Sequence, residues 1–290
     1  MHDSAIRKGM SVFVRVGVLF ALVLFLFFPD AEGVIGAART PAALQHLVEA
    51  QVLKQPLLFR GLYQDNVLHF DATGAMKDNS TSIGSLTLAG VDIQKVEVTD
   101  RTLVLDGQRA ALNFDASMME FARVPLTGRM VRVVIERDKT ADLDAYQTTI
   151  YRIFSHGVDN ELLNKLPDYW QGYFHPKLRE KQLLGTQILS DLDLYDSHSK
   201  LPVVIASTDA RPTELSRSIH SKKKVAIRML VDPSGMPTHL VICDPVGFGM
   251  DEAAIEAARL FRFTPATLKG EPIAADVKVF VRFQTTSKTD

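Results

Sequence analysis

The sequence is poor in cysteine and nearly free of net charge, and each shortage excludes a class of protein. The single cysteine among 290 residues, Cys243, excludes an intramolecular disulfide and a cysteine-based metal cluster. The 33 basic side chains nearly balance the 34 acidic ones, whereas a dedicated nucleic-acid binder usually presents a basic face. We therefore expect no nucleic-acid partner, and we expect Cys243 to be a buried, unreactive thiol in a strand.

The motifs of catalysis and of metal binding are also missing from the sequence. The eight histidines are scattered and form no His-Glu-x-x-His spacing, and no Gly-x-Ser-x-Gly turn presents a nucleophile. Asp71-Ala72-Thr73-Gly74 is similar to the Asp-Thr-Gly of aspartic proteases, but it has an extra residue and no second copy, which favours a simple turn. The sequence thus predicts no catalytic residue, no metal and no cofactor, and hence a protein that is not an enzyme.

The first 38 residues carry a long apolar run behind the basic residues Arg7 and Lys8. Its uninterrupted core, Val16–Phe28, falls within the about 7–15 residues of a signal-peptide core and short of the about 20 residues of a membrane-spanning helix. Small residues at Ala31-Glu32-Gly33 or at Gly36-Ala37-Ala38 suit a cleavage site. Residues 1–38 are therefore predicted to be a signal peptide, with a membrane anchor as the alternative. Either way the rest of the chain is expected in the periplasm, secreted across or anchored in the inner membrane, which the segment contacts if it is uncleaved.

Residues 41–183 contain short alternating segments separated by turn residues. This pattern predicts an antiparallel β-rich domain with packed helices, shaped as a sandwich or an open barrel, whose role is unknown. A hairpin is expected to join Leu57–Tyr63 to Val67–Asp71, and a further strand is expected at Gly84–Leu88. An aromatic group is expected to close the core beneath the helices: Tyr169, Trp170, Tyr173 and Phe174.

Residues 184–200 are predicted to be a linker, because aspartate and serine dominate the stretch after Leu189. Residues 201–285 are then predicted to form a separate two-layer domain with the element order β-β-α-β. An alternating apolar run at Val225–Asp232 predicts the first strand, and Pro233-Ser234-Gly235 supplies the turn that follows it. The remaining elements are a strand, a helix and a last strand, predicted at Thr238–Cys243, Met250–Phe263 and Asp276–Phe283.

The predicted helix has acidic residues in its first turn, Asp251 and Glu252, where the helix dipole favours anions. Its apolar side chains recur at helical spacing, and Leu260 is expected on the face that packs against the sheet. The helix is expected to stop at Phe263-Thr264-Pro265-Ala266. Gly270-Glu271-Pro272 then turns the chain into the last strand.

This ordered set, with Phe261-Arg262-Phe263-Thr264-Pro265-Ala266 as its most distinctive part, resembles the C-terminal domain of the TonB family over about residues 201–285. TonB is the periplasmic protein that carries inner-membrane energy to outer-membrane transporters. The resemblance implies an α+β chain and a TonB-like cell-envelope protein linked to outer-membrane transport. The sequence lacks the family's Pro/Lys-rich spacer and the Ser and His of its anchor, so the resemblance extends to the domain and not to the energy-transducing parts.

The resemblance also implies where a partner binds. In the family the last strand lies close to a sheet edge, and strand addition needs only unpaired backbone donors and acceptors there. The expected partner is an envelope protein or a peptide of an outer-membrane transporter. Val277, Val279, Val281 and Phe283 are expected to form the buried face. The predicted binding residues are Val277, Lys278, Val279, Phe280, Val281, Arg282 and Phe283.

A different class of function stays open for the N-terminal part of the chain. A partly open β-barrel covered by a helix can enclose a cavity, so residues 41–183 could hold a small apolar or lipid ligand. On this alternative the protein is an envelope carrier. A co-purified lipid would favour the carrier, and a well-packed sheet would favour the peptide binder.

Overall fold

The computed structural model describes residues 40–78, 84–138, 141, 143–191, 193–218 and 224–284. The predicted signal or anchor segment, 1–38, lies outside these ranges. Among the described residues, every helix is too short or too polar to cross a membrane.

The N-terminal half is built on a six-stranded sheet with the order β2-β5-β4-β3-β1-β6. The strands are β1 (Leu57–Phe59), β2 (Val67–Phe70), β3 (Gly90–Val98), β4 (Thr102–Asp115), β5 (Glu120–Glu136) and β6 (Phe154–Ser155). The helices are α1 (Pro41–Val52), α2 (Leu143–Ile153), α3 (Asn160–Lys165), α4 (Asp168–Phe174) and α5 (Pro176–Gln182). Helix α1 begins where it does because the Thr40 hydroxyl accepts a hydrogen bond from the Ala43 N–H, which satisfies a free donor of the first turn.

The expected hairpin between β1 and β2 is wrong, because these strands lie far apart in the sheet. β1 pairs with β3 and β6, whereas β2 pairs in parallel with β5 at the opposite edge. The buried Arg60 explains the separation. Its guanidinium donates to the Phe154 C=O and to both carboxylate oxygens of Asp159, which ties the end of β1 to α3 and directs the chain away from a tight turn.

Two further local expectations differ from the structure. Gly84–Leu88 was expected to be a strand, but Leu86–Leu88 forms a 3-10 turn in which Leu86 and Thr87 are buried. The sequence pattern predicts two separate strands at Thr102–Leu105 and Arg109–Phe114, but β4 runs through both and forms one long antiparallel hairpin with β5. A register shift near Gln108 and Ala110 accommodates this length.

The C-terminal half has the predicted β-β-α-β order, with three short strands added between the helix and the last strand. Its main sheet has the order β13-β8-β9. The elements are β7 (Val203–Ala206), α6 (Glu214–Ser218), β8 (Val225–Val231), β9 (Pro237–Asp244), α7 (Met250–Arg259), β10 (Arg262–Thr264), β11 (Ala266–Leu268), β12 (Glu271–Ile273) and β13 (Ala275–Val281). The α+β class is thereby confirmed.

Helix α7 packs on this sheet through a stripe of small and branched side chains. Ala254, Ile255, Ala257 and Ala258 are buried, as helical spacing requires of one face. The expectation for Leu260 is wrong: the residue follows the last turn of α7 and is 62% exposed. The helical spacing of apolar residues predicts a helix that continues past Arg259. In the structure α7 ends at Arg259 and the chain continues towards β10.

One hydrophobic core, which we call the shared core, is built from both halves of the chain. Its members include Leu58, Leu86, Leu112, Trp170, Ile227, Met250 and Phe261. Backbone hydrogen bonds join the same parts: the Phe114 N–H donates to the Val246 C=O, and the Phe248 N–H donates to the Leu112 C=O, each over 3.0 Å. The domain boundary at residues 184–200 stays a prediction. Separating the chain there would remove the contacts of the shared core and these two backbone hydrogen bonds.

Gly247 allows the two halves to approach this closely. Its φ of +98° lies in the left-handed region, and a Cβ atom at this position would lie 2.1 Å from the Leu112 carbonyl oxygen. Only glycine tolerates both conditions. No local pattern in the sequence around Gly247 indicates this close approach.

Candidate functional site

Strand β13 forms one edge of the C-terminal sheet. It pairs with β8 in an unbroken antiparallel register from Ala275 opposite Val231 to Val281 opposite Val225. In the part of the chain that the structure describes, no strand pairs with its other side. An edge of this kind leaves a row of backbone N–H and C=O groups available to another chain.

Two isolated contacts mark the ends of the open row. At one end the Leu189 N–H donates to the Ala274 C=O over 2.8 Å. At the other end the Ala210 N–H donates to the Arg282 C=O over 2.8 Å, and the Gln284 N–H donates to the Ala210 C=O over 2.9 Å. The row between these contacts is therefore flanked by other parts of the chain but not filled by them.

Strand geometry identifies the residues whose backbone groups point outward. Successive residues of a strand direct their N–H and C=O groups to alternate sides. The C=O groups of Ala274 and Arg282 point away from β8, since both accept hydrogen bonds from outside the sheet. Every second residue between them therefore also directs its N–H and C=O groups away from β8. These residues are Asp276, Lys278 and Phe280.

The seven predicted binding residues are divided between the two faces of β13 and the short segment that follows it. Val277, Val279 and Phe283 pack against the shared core, and Val281 is part of it, as expected for the buried face. Phe280 is 58% exposed and points to the other face. Arg282 and Phe283 follow β13, and Phe283 takes part in the bridge to Ala210.

A cleft of about 280 Å³ lies beside the outer edge of β13. Val204, Ser207 and Asp209 line it from β7 and the loop that follows. Phe261, Lys278, Val279, Phe280 and Arg282 line the remainder. No local feature of Pro202-Val203-Val204 predicts that β7 forms one wall of this cleft.

Charged side chains make contacts at the start and in the middle of β13. The Arg179 guanidinium donates two hydrogen bonds, of 3.0 and 2.6 Å, to the Asp276 carboxylate, and Arg228 lies 2.7 Å from the same group. Farther along, Lys278 donates to Asp244 over 2.9 Å, and this hydrogen bond raises the pKa of the lysine. These contacts use side chains of the open row and leave its backbone N–H and C=O groups available.

The opposite edge strand, β9, is covered. Helix α4 packs against it so tightly that a Cβ atom on Gly172 would lie 2.6 Å from Cγ2 of Val241. Arg179 of α5 also donates to the His239 C=O over 3.4 Å. Cys243, which was expected to be buried, is only half-buried in β9, and burial raises the pKa of its thiol.

A buried acidic pair at the start of α7 joins the covering helix to the rest of the molecule. Asp251 accepts hydrogen bonds of 2.7 Å from the Val246 and Gly247 N–H groups. Glu252 accepts from the Leu86 N–H over 3.0 Å and from the Trp170 indole N–H over 2.9 Å. The carboxylate of Glu252 thus links α7 to two parts of the N-terminal half, the 3-10 turn at Leu86 and helix α4.

Burial determines the protonation of this pair. It raises the pKa of Asp251 to about 8, and the neighbouring charge of Glu252 acts in the same direction. Burial likewise raises the pKa of Glu252. Because Asp251 is fully buried and both carboxyls accept backbone N–H groups, we interpret the pair as a structural link rather than as an acid and a base for catalysis.

The other chemical candidates form turns or core. The Asp71 carboxylate accepts from the Thr73 and Ala75 N–H groups, as expected of a turn. Among the described residues, no group of three or more His, Cys, Asp or Glu side chains is arranged to hold a metal. The predicted aromatic group does close the core: Trp170 is fully buried and stacks edge-on against Tyr173.

The carrier alternative stays a prediction. The inner side of the N-terminal sheet is packed with buried side chains from α1, α2 and the strands, among them Val48, Phe59, Leu105 and Ile150. Native mass spectrometry that found a lipid bound to the purified chain would support this alternative.

Residues 220–285 match the family model described as Gram-negative bacterial TonB protein C-terminal. This match confirms the resemblance inferred from the sequence over that segment, while residues 201–219 of the predicted domain lie outside it. No curated protein and no solved structure matches the chain. Proteins of this family are envelope proteins linked to outer-membrane transport, and the family acts through protein interaction and energy transduction rather than catalysis.

Proposed function

We propose that the C-terminal domain binds an extended peptide of an envelope protein or outer-membrane transporter by strand addition at the outer edge of β13. The observation that carries this proposal is the open row at Asp276, Lys278 and Phe280, bounded at both ends by the contacts of Ala274 and Arg282. A peptide that enters the row continues the sheet and satisfies these backbone groups.

The gain per contact is modest, so binding needs several contacts at once. Each backbone hydrogen bond contributes about 0.5–1.5 kcal/mol net, and three outward residues offer up to six groups. The cleft between Val204 and Phe280 supplies apolar contact for the side chains of the peptide. Affinity then comes from the backbone, and selectivity comes from the cleft.

The proposal also places the protein in the cell envelope. The C-terminal domain would face the periplasm, with residues 1–38 serving as an export signal or as an anchor in the inner membrane. Sequencing the N-terminus of the envelope protein distinguishes these two possibilities, because only a signal peptide is removed.

Proline substitution tests the edge directly. Lys278→Pro and Phe280→Pro each remove one outward N–H donor, and an edge strand tolerates proline better than a central strand does. The matched controls, Lys278→Ala and Phe280→Ala, remove the same side chains but keep the donor. We expect crosslinking to partners in cell envelopes to fall in the proline variants well below the alanine controls, at similar melting temperatures.

Two results would contradict the proposal. Undiminished crosslinking by both proline variants, provided that they melt like the wild type, would mean that the open row is not used. An equal loss in the proline and alanine variants would mean that the side chains, and not strand addition, hold the partner.

A further inference from the structure

Residues 203–209, which we call the strap, run beside the open row of β13 and form the facing wall of the cleft. The strap contains β7, whose β-branched side chains favour a strand. Val203, Val204 and Ile205 are nevertheless 61%, 44% and 65% exposed, and in the described part of the chain β7 pairs with β10 alone. The strap is therefore a strand with a neighbour on one side and the cleft on the other.

The residue that follows the strap, Ala210, already pairs with the chain just after β13. Its N–H donates to the Arg282 C=O over 2.8 Å, and its C=O accepts from the Gln284 N–H over 2.9 Å. Ala210 thereby lies opposite Phe283 in a parallel bridge. A residue that bonds to both neighbours of its partner is the repeating unit of a parallel ladder. The strap thus ends in a contact that fixes its register against β13.

This register matches the side chains of the strap to those of β13 on both faces. On one face it places Asp209 opposite Arg282, whose charged groups already lie 3.8 Å apart. On the other face it places small and apolar side chains of the strap beside the buried valines of β13. The opposed pairs on that face are Val204 with Val277, Ala206 with Val279, and Thr208 with Val281. Opposite charges and apolar pairs are the neighbours that stabilise adjacent strands.

The backbone of the strap is also oriented for this pairing. The Val203 N–H donates to Thr264 Oγ1 beside β10 over 3.1 Å, so strand alternation directs the N–H and C=O groups of Val204 into the cleft. Ala210 shares this alternation and bonds to the chain after β13. A parallel ladder between Val204 and Ala210 would satisfy the open row. It would leave the pairing of β7 with β10 unchanged, because that pairing uses the other side of the strap.

We propose that the strap closes on the outer edge of β13 as a parallel strand and excludes other chains from the open row. The bridge of Ala210 to Phe283 is the fixed end of this movement, and closure removes the cleft of about 280 Å³. The two sheets of the domain then become one. The inference names a regulation of the site proposed above: its effect on a partner rests on the proposed function, whereas the closure itself does not.

Closure makes the strap a competitor of any peptide that uses the row. Because it belongs to the same chain, the strap acts at an effective concentration on the order of millimolar. A peptide binds only the open form, so its apparent dissociation constant rises as the open fraction falls. A change that weakens closure should therefore strengthen the capture of a partner.

Amide hydrogen exchange of the full chain tests closure without a partner. Thr208→Pro removes a strap N–H that faces β13, whereas Thr208→Ala keeps it. Thr208 follows the last residue of β7, so both variants retain the pairing with β10. We expect the amides of Lys278 and Phe280 to exchange about three- to tenfold faster in Thr208→Pro than in Thr208→Ala. The amide of Val279, which faces β8, should exchange equally in both variants.

Crosslinking in cell envelopes measures the effect on a partner. Thr208→Pro should capture more partner than Thr208→Ala, because the row is open for a larger fraction of the time. This expectation is opposite in sign to that for Phe280→Pro, which removes a donor of the row itself. The two proline variants therefore separate the strap from the site that it covers.

Two outcomes would overturn the inference. In the first, the exchange of the Lys278 and Phe280 amides does not respond to Thr208→Pro, which would mean that the strap stays away from β13. In the second, capture falls in Phe280→Pro but is equal in Thr208→Pro and Thr208→Ala, which would leave the proposed function intact without a strap. Exchange that responds to Thr208→Pro, together with capture that ignores Phe280→Pro, would support closure and contradict the proposed function alone.

Discussion

Strands β9 and β13 are the two edges of one three-stranded sheet, yet only β9 is covered. Helix α4 packs on β9 beside Gly172, and Arg179 binds the carbonyl of His239. β13 keeps an open row between the contacts of Ala274 and Arg282. The difference teaches that the segment before the C-terminal domain decides which edge is available, because it supplies the cover for one edge and leaves the other open.

Removing the centre of the cover should have the largest effect. Trp170 is fully buried in the shared core, and its indole N–H donates to Glu252. Trp170→Ala should lower the free energy of unfolding by about 3–5 kcal/mol through the cavity and the lost hydrogen bond. Urea denaturation measures this loss, and Tyr195→Ala, at an 88% exposed residue, serves as the control. If Trp170→Ala lowered the free energy of unfolding by less than an ordinary surface substitution does, the packing of α4 on β9 would not be needed for stability.

The buried acidic pair, whose Glu252 binds the Trp170 indole, should make the stability of the protein depend on pH. The pKa of Asp251 is raised from 3.8 to about 8, so the folded state binds a proton that the unfolded state has released. The stabilising contribution of a raised pKa is complete below the unfolded value and is lost as pH rises through the folded value. We therefore expect the melting temperature to fall between about pH 5 and about pH 9.

Glu252→Gln tests the origin of that pH dependence. Glutamine keeps an acceptor for Trp170 and Leu86 but removes one ionisable carboxyl and its charge beside Asp251. The variant should show a weaker fall in melting temperature towards high pH. A wild type whose stability rises over the same range would contradict the assignment.

A smaller effect is expected from crowding the covered edge. Gly172→Ala adds a Cβ atom 2.6 Å from Val241, and overpacking of this kind costs about 1–3 kcal/mol. The double variant Gly172→Ala/Val241→Ala should recover part of the loss, since the two residues are in contact. Additive losses in a double-mutant cycle would mean that α4 does not press on β9 at this point.

The smallest effect should come from the open edge itself. Lys278 is an exposed residue whose ion pair with Asp244 spans 2.9 Å, and exposed pairs of this type contribute about 0–1 kcal/mol. Lys278→Ala should therefore leave the unfolding midpoint almost unchanged. A loss comparable to that of Trp170→Ala would mean that β13 is held by this side chain, and the contrast between the two edges would fail.

Local patterns in the sequence were sufficient for most elements of the C-terminal domain. The alternation of Val225–Val231 and the small residues of α7 predict their structures, because a strand repeats every two residues and a helix every 3.6. The same alternation predicts Val277, Val279 and Val281 on one face of β13. Element limits were less accurate: α7 ends at Arg259 rather than at Phe263.

Pairing between distant segments was not accessible in the same way. An alternating run at Val67–Phe70 shows that the segment is a strand, but it does not show that its partner is β5 in parallel. Likewise, nothing local in Pro202-Val203-Val204 indicates that Val204 faces β13 across a cleft.

The sequence by itself determined the β-β-α-β order, the α+β class and the family of residues 220–285, since each depends on periodicity and turn residues within short stretches. Only the tertiary structure decided which edge is covered, how both halves share one core, and that β7 faces β13 across a cleft. These features depend on contacts such as that of Trp170 with Glu252, which are 82 positions apart. A residue pattern specifies which face of an element is apolar, but packing in three dimensions selects the surface that this face meets.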